Sequence, residues 1–380
     1  MAVRHLHRPC AGCPSKLPGP IASCRTGCGG RKYLPHSGFP RATSSATQCA
    51  FATLAPHEPQ HARRHPRGSR QVQRAEFLVT GASGLLGHAL VNELQAAAGG
   101  EVVALTSRDV DLTDYEATRQ AFERHRPAVV FHLAARVSGL MGNIKAQGQA
   151  YLDNTRMNTN VVEAARLAGA TKIVAMGSTA IYSDAVRLPM TEEQIWDGAP
   201  HHSESGYAHA KRGMLAHLES YRDQYGLDYA YCISTNLFGP HDKFDEQHGH
   251  VIPSLMSKFL RANQQGSAVT IWGTGTPQRD FLYAKDAALA LRMIAEGFTG
   301  PINMATGTAI SIADTVKLIT EVSGFKGPVE WDRTKPDGQK LRQYDVSKLQ
   351  ALGFKPRYSL RDALLETYEW LAAHAAVARR

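Results

Sequence analysis

Tyr207 and Lys211 stand four residues apart, a spacing that suggests proton chemistry. On a helix, residues four apart lie on one face, so both side chains can reach the same reacting group. A phenol has a pKa near 10 in isolation, and a neighbouring ammonium group favours its ionised form. The Ser178 hydroxyl could hydrogen-bond the substrate carbonyl oxygen that Tyr207 would protonate. Most such pairs on helices are ordinary surface pairs, but the three residues together predict proton donation by Tyr207 to a carbonyl oxygen.

A glycine-rich loop, Gly81-Ala-Ser-Gly84-Leu-Leu-Gly87, follows the first predicted strand and opens a helix. Glycines allow the tight turn, the close approach of the backbone to a pyrophosphate and the close packing of helix on sheet, and the helix N-terminus attracts phosphate. A tight turn without a ligand is the alternative for the loop in isolation. The strand, helix and second strand around the loop favour a dinucleotide. Tyr207 would then donate its proton as hydride arrives, with Lys211 holding the nicotinamide ribose.

The end of the second predicted strand indicates which dinucleotide is bound. NAD enzymes usually have an acidic residue there, which accepts hydrogen bonds from the adenosine ribose. This strand ends in Thr106-Ser107-Arg108, without a carboxylate. The planar guanidinium of Arg108 suits a 2′-phosphate, which favours NADP(H). An Arg108 side chain that simply faces water is the alternative.

Short apolar segments alternate with helical ones along the body of the chain. The predicted strands are residues 77–80, 101–106, 127–135, 172–177 and 228–235, and the predicted helices include residues 85–97, 115–124, 159–168 and 207–218. This alternation indicates an α/β fold with a doubly wound parallel (Rossmann) sheet. We assign residues 75–240 to an NADP-binding domain. Residues 241–380 would form mainly a smaller C-terminal substrate-binding domain, with segments near 279–305 returning to the Rossmann core.

The first 74 residues differ in composition from the rest. They contain twelve lysines and arginines against one acidic residue, Glu58, and five of the six cysteines. They show no helical or alternating periodicity, so we interpret them as a disordered or targeting extension, or as the product of a misplaced gene start. Zinc ligation by Cys10-x-x-Cys13 and Cys24-x-x-x-Cys28 is the disfavoured alternative, and we expect no metal.

The remaining 306 residues carry a net charge of about −2, so we expect no nucleic-acid partner for them. No apolar run reaches the length of a membrane-spanning helix. We therefore expect no membrane partner and a cytoplasmic location, with organellar import if residues 1–74 act as a transit peptide.

Glycine loop, strand-end serine and tyrosine–lysine pair, in that order, resemble the short-chain dehydrogenase/reductase superfamily, and the chain length indicates its extended branch. From residue 77 to the C-terminus the chain resembles the GDP-L-fucose synthase family. The matching segments are residues 132–135 (HLAA), 139–145 (GLMGNIK), 176–182 (MGSTAIY), 235–242 (TNLFGPHD), 249–253 (GHVIP), 272–275 (WGTG), 279–282 (RDFL) and 335–338 (KPDG).

The resemblance implies NADPH-dependent reduction of the C4 ketone of a GDP-4-keto-6-deoxy sugar, together with epimerisation at C3 and C5, in a homodimer. It implies catalytic roles for Ser178, Tyr207, Lys211 and His250. Cofactor contacts would come from Gly81, Ala82, Ser83, Gly84, Leu85, Leu86, Gly87, Arg108, Asp111, Leu112, Met176, Lys211, Ser234, Thr235, Asn236, Leu237 and His250. Substrate contacts would come from Lys258, Trp272, Arg279 and Asp337. A solvated Lys258 and a core Trp272 are the alternatives for those two residues.

One position departs from the family pattern. The family exchanges protons at carbon with a histidine, matched by His250, and a cysteine, whose position is Ala180. A methyl group carries no exchangeable proton, so three readings stay open: another group or a water replaces the thiol, the protein only reduces C4, or its substrate is another GDP-4-keto-6-deoxy sugar. An NAD-dependent nucleotide-sugar epimerase or dehydratase and a non-catalytic NADP-binding protein are the competing functions.

Overall fold

The computed structural model describes residues 75–98, 100–137, 146–246, 249–335, 337 and 339–378, which all belong to one compact unit. The N-terminal extension with its cysteine motifs and the segment 139–145 lie outside the described residues. Within the described part of the chain, no helix is long and apolar enough to cross a membrane.

The described residues form an alternating series of strands and helices. In chain order these are β1 (Phe77–Thr80), α1 (Leu85–Ala98), β2 (Val102–Leu105), α2 (Tyr115–His125), β3 (Val129–His132), α3 (Gln147–Leu167), β4 (Lys172–Met176), α4 (Ser205–Tyr225), β5 (Asp228–Ser234), β6 (Asn236–Phe238), α5 (Val251–Gln265), β7 (Val269–Trp272), β8 (Gln278–Arg279), β9 (Phe281–Tyr283), α6 (Ala284–Gly297), β10 (Gly300–Met304), β11 (Ile310–Ser311), α7 (Ile312–Val322), β12 (Val329–Asp332), α8 (Ser347–Ala351) and α9 (Leu360–Ala373).

Six of these strands form one sheet in the order β2-β1-β3-β4-β5-β10. Every neighbouring pair in it is parallel. The order reverses between β1 and β3, and ligands of such sheets bind beyond the carboxyl ends of the strands at this switch point. The predicted α/β doubly wound fold is therefore confirmed.

Apolar side chains of the strands pack on both faces of this sheet, because successive residues of a strand point to opposite sides. Leu78 of β1 packs with residues of α2, α3 and α4 on one face. Its neighbour Val79 packs with residues of α1 and α6 on the other. Both leucine and valine are fully buried. This two-sided burial accounts for the continuous apolar runs of the strands.

A third apolar cluster lies outside the sheet and is built mainly by the C-terminal third of the chain. It joins α5, α7 and α9 through residues such as Phe259, Ile319 and Leu364. β7 and β12 pair in parallel beside it. β10, from the same third of the chain, instead pairs with β5 in the main sheet. The division into two domains at residue 240 stays an interpretation.

The predicted helix over residues 159–168 is wrong at its start, because α3 begins at Gln147. The first half of α3 buries polar residues, which conceal the apolar periodicity of a helix. The Asp153 carboxylate accepts a hydrogen bond from Arg136 Nη1 at 2.7 Å, and Asn154 Nδ2 donates to the Arg136 carbonyl at 2.9 Å. Similarly, α4 runs beyond the predicted end at residue 218 to Tyr225.

Candidate active site

Ser178 lies just beyond the carboxyl end of β4, where it caps a short 3-10 helix, Thr179–Ile181. Its Oγ accepts a hydrogen bond from the Ala180 amide at 3.2 Å. Gly177, between β4 and Ser178, is pressed against the ring of Tyr231, since a Cβ there would lie 2.6 Å from a ring carbon. The position of the Ser178 hydroxyl is therefore fixed by the strand end, the cap and the tyrosine behind it.

Tyr207 and Lys211 lie one turn apart on α4. Tyr207 is 7% exposed and Lys211 is 1% exposed. Lys211 Nζ donates to the Met176 carbonyl at the end of β4, at 2.7 Å, and lies 5.8 Å from the centroid of the Tyr207 ring. The structure thus brings together the three residues that the sequence predicts as the proton-transfer group.

Burial raises the proton affinity of Tyr207 and lowers that of Lys211. Loss of hydration raises the pKa of Tyr207, the carboxylate of Glu204 raises it further, and a hydrogen bond with Ser178 lowers it. Loss of hydration lowers the pKa of Lys211 to about 7. At neutral pH the phenol therefore keeps its proton, which suits a general acid, beside an amine near its titration midpoint.

A buried hydrogen-bond chain connects β1 and β3 to the helix that carries these residues. His132 contacts Thr80 Oγ1 through Nδ1 at 2.9 Å and Asn158 Oδ1 through Nε2 at 3.1 Å. Asn158 Nδ2 donates to the Ala210 carbonyl of α4 at 3.3 Å. Burial, followed by the nearby Lys211, lowers the pKa of His132 to about 3, so this imidazole is neutral and serves as a structural link.

Two cavities meet at the glycine loop, beyond the switch point of the sheet. One, of about 600 Å³, is lined by residues that include Gly81, Ser83, Gly84, Ser107, Asp111 and Leu112. The other, of about 470 Å³, is lined by residues that include Leu85, Leu86, Gly87, Met176, Ser178, Tyr207, Lys211, Ser234, Thr235, Asn236 and Leu237. His250 and the loop glycines Gly81 and Gly84 line both cavities. Most of the predicted cofactor residues therefore surround one elongated space.

The glycine loop is packed so closely against neighbouring backbone that side chains have no room at two of its glycines. A Cβ at Gly81, whose φ is +72°, would lie 2.9 Å from the backbone of Ala134, and one at Gly87 would lie 2.3 Å from the Gly81 carbonyl oxygen. The N-terminus of α1 follows directly and supplies free amides and the positive end of the helix dipole. The two adjoining cavities provide space for the two nucleotide halves of a dinucleotide.

Two predicted cofactor residues, Ala82 and Arg108, lie away from the walls of these cavities. Ala82 is buried, and its amide donates to the Leu105 carbonyl of β2 at 3.1 Å. Arg108 is exposed, and its amide donates to Thr106 Oγ1 at 3.2 Å. Neither residue is among those that line the two cavities, although Thr106 and Ser107 are.

His250 stands at the mouth of the catalytic cavity, at the N-cap of α5. Partial loss of hydration lowers its pKa, and the Glu204 carboxylate acts in the opposite direction. Ala180 also lines this cavity and packs against Tyr207. The position that the family fills with a thiol is thus part of the cavity wall.

A further cavity of about 380 Å³ is lined by all four predicted substrate residues, Lys258, Trp272, Arg279 and Asp337. Trp272 is 62% exposed, and its ring lies 5.5 Å from Lys258 Nζ and 5.6 Å from Lys335 Nζ. The Asp337 carboxylate accepts from the amide and hydroxyl of Thr274 at 2.8 and 2.6 Å. The exposed indole between two cations offers a flat surface for a base and charge for phosphate.

Several charged residues that line the cavities were missed by the sequence analysis. Glu204 and Arg342 line the catalytic cavity, and Arg136 lines the neighbouring cofactor cavity. Glu204 lies directly before α4 and three residues before Tyr207, and this proximity is the local signal that was available for it. Arg342 and Arg136 belong to no motif that the sequence analysis recognised, and the fold brings them to the site.

The site combines two adjoining cavities, a glycine loop at a sheet switch point and a serine–tyrosine–lysine group. These features define an NAD(P)-dependent oxidoreductase of the extended short-chain dehydrogenase/reductase class. The chain belongs to the NAD dependent epimerase/dehydratase family, whose model matches residues 77–305.

Several similar proteins are named for GDP-sugars. GDP-L-fucose synthase 1 of Arabidopsis thaliana is 35% identical over 299 residues, which cover 78% of this chain and 93% of that protein. A crystal structure of a GDP-L-fucose synthetase from Naegleria fowleri bound to NADP is similar with a TM-score of 0.76 and 34% identity, covering 80% of this chain and 95% of that one. A GDP-6-OMe-4-keto-L-xylo-heptose reductase from C. jejuni is similar with a TM-score of 0.73 and 25% identity, covering 81% and 100%.

Proposed function

We propose that this protein reduces the C4 ketone of a GDP-4-keto-6-deoxy sugar with NADPH, as a GDP-L-fucose synthase-like enzyme. The observation that carries the proposal is that three cavities adjoin and share the wall residue Gly249. Ser178 and Tyr207 line the catalytic cavity, which shares further wall residues with the neighbouring cofactor cavity and with the cavity of Trp272. A nucleotide sugar with its base near Trp272 could extend its sugar to Tyr207.

The residues of the catalytic cavity have distinct roles in the reduction. When bound, the cofactor supplies a hydride to the carbonyl carbon. Ser178 and Tyr207 donate hydrogen bonds to the carbonyl oxygen, and Tyr207 transfers its proton to that oxygen as charge develops on it. The Lys211 ammonium stabilises the phenolate that remains. The Met176 carbonyl holds Lys211 in place for this.

NADP(H) is proposed over NAD(H) because the residues directly after β2, Thr106-Ser107-Arg108, include no carboxylate to pair with a free ribose. The carboxylates further along the loop are bonded within it, Asp109 to Thr106 and Asp111 to Thr113. Ser107 lines the cavity there, and the exposed Arg108 follows it. Arg108 has to turn toward the cavity to contact a 2′-phosphate. The similar Naegleria fowleri structure is bound to NADP, which supports the choice of NADP(H).

Of the two activities that the resemblance to GDP-L-fucose synthases implies, epimerisation has less support than reduction from the residues of this chain. Enolate formation beside the C4 ketone could use the same Ser178 and Tyr207 hydrogen bonds, but proton exchange at carbon needs groups on both sides of it. His250 supplies one such group and Ala180 supplies none. The similarity to a heptose reductase favours, as the second candidate, a C4 reductase that acts without epimerisation.

The test is an assay with GDP-4-keto-6-deoxymannose and either NADPH or NADH, following cofactor oxidation and determining the product by NMR. We expect oxidation of NADPH and slower oxidation of NADH. Oxidation of neither cofactor would refute the reductase, and turnover without net oxidation would indicate an epimerase or dehydratase. An L-fuco product would show that epimerisation proceeds despite Ala180.

Tyr207→Phe provides the control within the site. It removes the proton donor and keeps the ring, so we expect the rate to fall by roughly 10²- to 10⁴-fold while NADPH titration by fluorescence gives an unchanged affinity. A Phe variant with wild-type turnover would remove Tyr207 from the mechanism.

A homodimer is proposed through the face that α3 and α4 present to solvent. Tyr151 of α3 is 48% exposed and Trp196 is 51% exposed. Both border a shallow depression together with Gly206, His209, Arg212, Gly213 and Ala216. Large exposed apolar side chains beside small residues are typical of surfaces that pair with another protein.

A further inference from the structure

Glu204 places a carboxylate in the wall of the catalytic cavity. It lines this cavity together with Ser178, Ala180, Tyr207 and His250. It is half-buried and stands directly before α4, three residues before Tyr207. Residues three apart on a helix lie on one face. The reduction proposed above needs Ser178 and Tyr207 and gives this carboxylate no role.

The oxygens of this carboxylate are not occupied by protein groups. Glu204 is the N-cap residue of α4, but its side chain makes no hydrogen bond to the amides of that helix. Within the part of the chain that the structure describes, no hydrogen bond or ion pair involves the Glu204 carboxylate. A carboxylate at a cavity wall without such a partner is available to take a proton from a ligand.

Gln147 of α3 holds the backbone from which Glu204 extends. Its Nε2 donates to the carbonyl of His202 at 2.7 Å, and its Oε1 accepts from the amide of Gly206 at 2.7 Å. A Cβ at Gly206 would lie 2.2 Å from the Gln147 carbonyl oxygen, so the chain can approach this closely only with glycine there. Glu204 lies midway between the two bonded residues, and its backbone is therefore fixed on both sides.

The charge of Glu204 acts on two groups that could transfer protons. Burial raises the pKa of Tyr207, and the Glu204 carboxylate raises it further. Burial lowers the pKa of His250, and the same carboxylate opposes this change. Glu204 therefore favours the protonated forms of both the phenol and the imidazole. A carboxylate near an imidazolium gives the cavity one base and one acid.

A base in this cavity would act on the carbons beside a bound ketone. Their C–H bonds are acidic because the carbonyl oxygen takes the negative charge that develops when the proton leaves. Ser178 and Tyr207, which donate hydrogen bonds to that oxygen in the proposed reduction, would stabilise the enolate in the same way. Carboxylates are among the side chains that serve as general bases for such proton transfers.

We propose that Glu204 is a catalytic residue that exchanges protons with the carbons beside the C4 ketone, in partnership with His250. The proposal rests on the proposed function, which supplies the ketone, and it gives the cavity a second proton-carrying group although Ala180 carries none.

The exchange is balanced in protons and electrons. The C–H bond breaks, its proton moves to the Glu204 carboxylate, and its electron pair forms the carbon–carbon double bond of an enolate. When the ketone forms again, the carbon takes a proton from the His250 imidazolium. Transfer of a proton from the Glu204 carboxyl group to the imidazole through water restores the starting state. No group is oxidised or reduced, so the step consumes no hydride.

The test follows the uptake of deuterium from D2O at the carbons beside the C4 ketone of GDP-4-keto-6-deoxymannose by NMR. The full chain is used with NADP⁺, so that no hydride is available, and the rate without protein is subtracted. Glu204→Gln keeps the size of the side chain and removes the base, so we expect uptake to fall by about 10²- to 10⁴-fold. The rate of NADPH oxidation, measured separately with the same ketone, should fall far less.

Two further variants complete the comparison. Glu204→Asp keeps a carboxylate and should restore part of the uptake. Glu219→Gln is the matched control, because it makes the same change in the second half of α4, outside the wall of the catalytic cavity. An equal loss of uptake in Glu219→Gln would show that overall charge, and not the Glu204 carboxylate, sets the rate.

The outcomes separate this proposal from the proposed function. Wild-type uptake in Glu204→Gln overturns the role of Glu204, and an equal fall of uptake and NADPH oxidation overturns it in favour of a structural role. A wild type that oxidises NADPH but takes up no deuterium keeps the reduction and refutes the proton exchange. A wild type with Glu204-dependent uptake that oxidises no NADPH supports the proton exchange and refutes the reduction.

Discussion

Lys211 carries its charge at a place where burial opposes it. The buried ammonium has a pKa of about 7, whereas lysine in an unfolded chain titrates near 10.4. Between these values the unfolded chain binds the proton that the folded protein has released, so this residue makes stability rise with pH there. Below about pH 7 the folded protein holds a buried charge and bears its full cost.

The first prediction follows from this cost. Without cofactor, Lys211→Met should have a larger free energy of unfolding than wild type, and the difference should be greatest below pH 7. The difference should shrink as pH rises toward 10. Urea denaturation of both proteins at pH 6, 8 and 9.5 measures the difference. A difference that stays constant over this range would contradict the lowered pKa.

Ala180 gives a second prediction at the residue scale. It is 5% exposed and packs against Tyr207, so Ala180→Cys places a thiol in the wall of the catalytic cavity. Since a well-placed acid or base accelerates proton transfer by about 10²- to 10⁴-fold, we expect at least a tenfold faster uptake of solvent deuterium at the carbons beside the C4 ketone, measured by NMR. Ala180→Ser, with a weaker acid of similar size, is the control. Equal uptake in all three proteins would show that proton exchange does not use this position.

At the scale of elements, the chain of hydrogen bonds through Asn158 fixes α4 relative to the sheet. Asn158→Ala removes the contacts with His132 and with the Ala210 carbonyl and leaves buried polar groups unpaired. We expect a loss of about 1–3 kcal/mol in the free energy of unfolding, measured by denaturation, together with a lower kcat because Tyr207 and Lys211 are less firmly placed. Asn160→Ala, on the same helix, is the control for stability, because it removes one hydrogen bond to the Leu112 carbonyl. An equal fall in the kcat of this variant would contradict the specific role of Asn158.

Sequence periodicity predicted the elements whose burial follows a simple pattern. The strands β1, β4 and β5 lie within one residue of their predicted bounds, because they are buried on both faces and read as apolar runs. α3 begins twelve residues before its predicted start because the missed part buries Asp153, Asn154 and Asn158, and a buried polar residue looks exposed in a sequence.

The site shows the same limit. Motifs indicated Ser178, Tyr207 and Lys211 because their spacing is set within one helix and one strand end. Arg342 has no such local signature. Arg342 reaches the cavity only through the bridge between Gln278 and Leu341, a pairing of distant segments that no local pattern records.

At the scale of the whole molecule, the face of α3 and α4 is the surface through which we propose that a second copy pairs. Tyr151→Glu combined with Trp196→Glu would bury two charges in that interface, so we expect the double variant to be a monomer where wild type is a dimer. Light scattering coupled to size-exclusion chromatography measures the mass. Tyr115→Glu, at a residue of α2 that is 44% exposed, is the matched control; a dimeric double variant would place the interface elsewhere.

The late arrival of β10 at the edge of the sheet has a consequence for synthesis of the chain on the ribosome. β5 ends at Ser234, and its partner β10 begins only at Gly300. Until α6 and β10 have emerged, the growing chain carries an unpaired edge on β5 and an uncovered apolar face, with Ala230 and Cys232 exposed instead of buried. Nascent chains with such an edge are prone to associate with each other. Residues 235–299, which include the predicted substrate residues Lys258, Trp272 and Arg279, are therefore translated before the sheet is protected from aggregation.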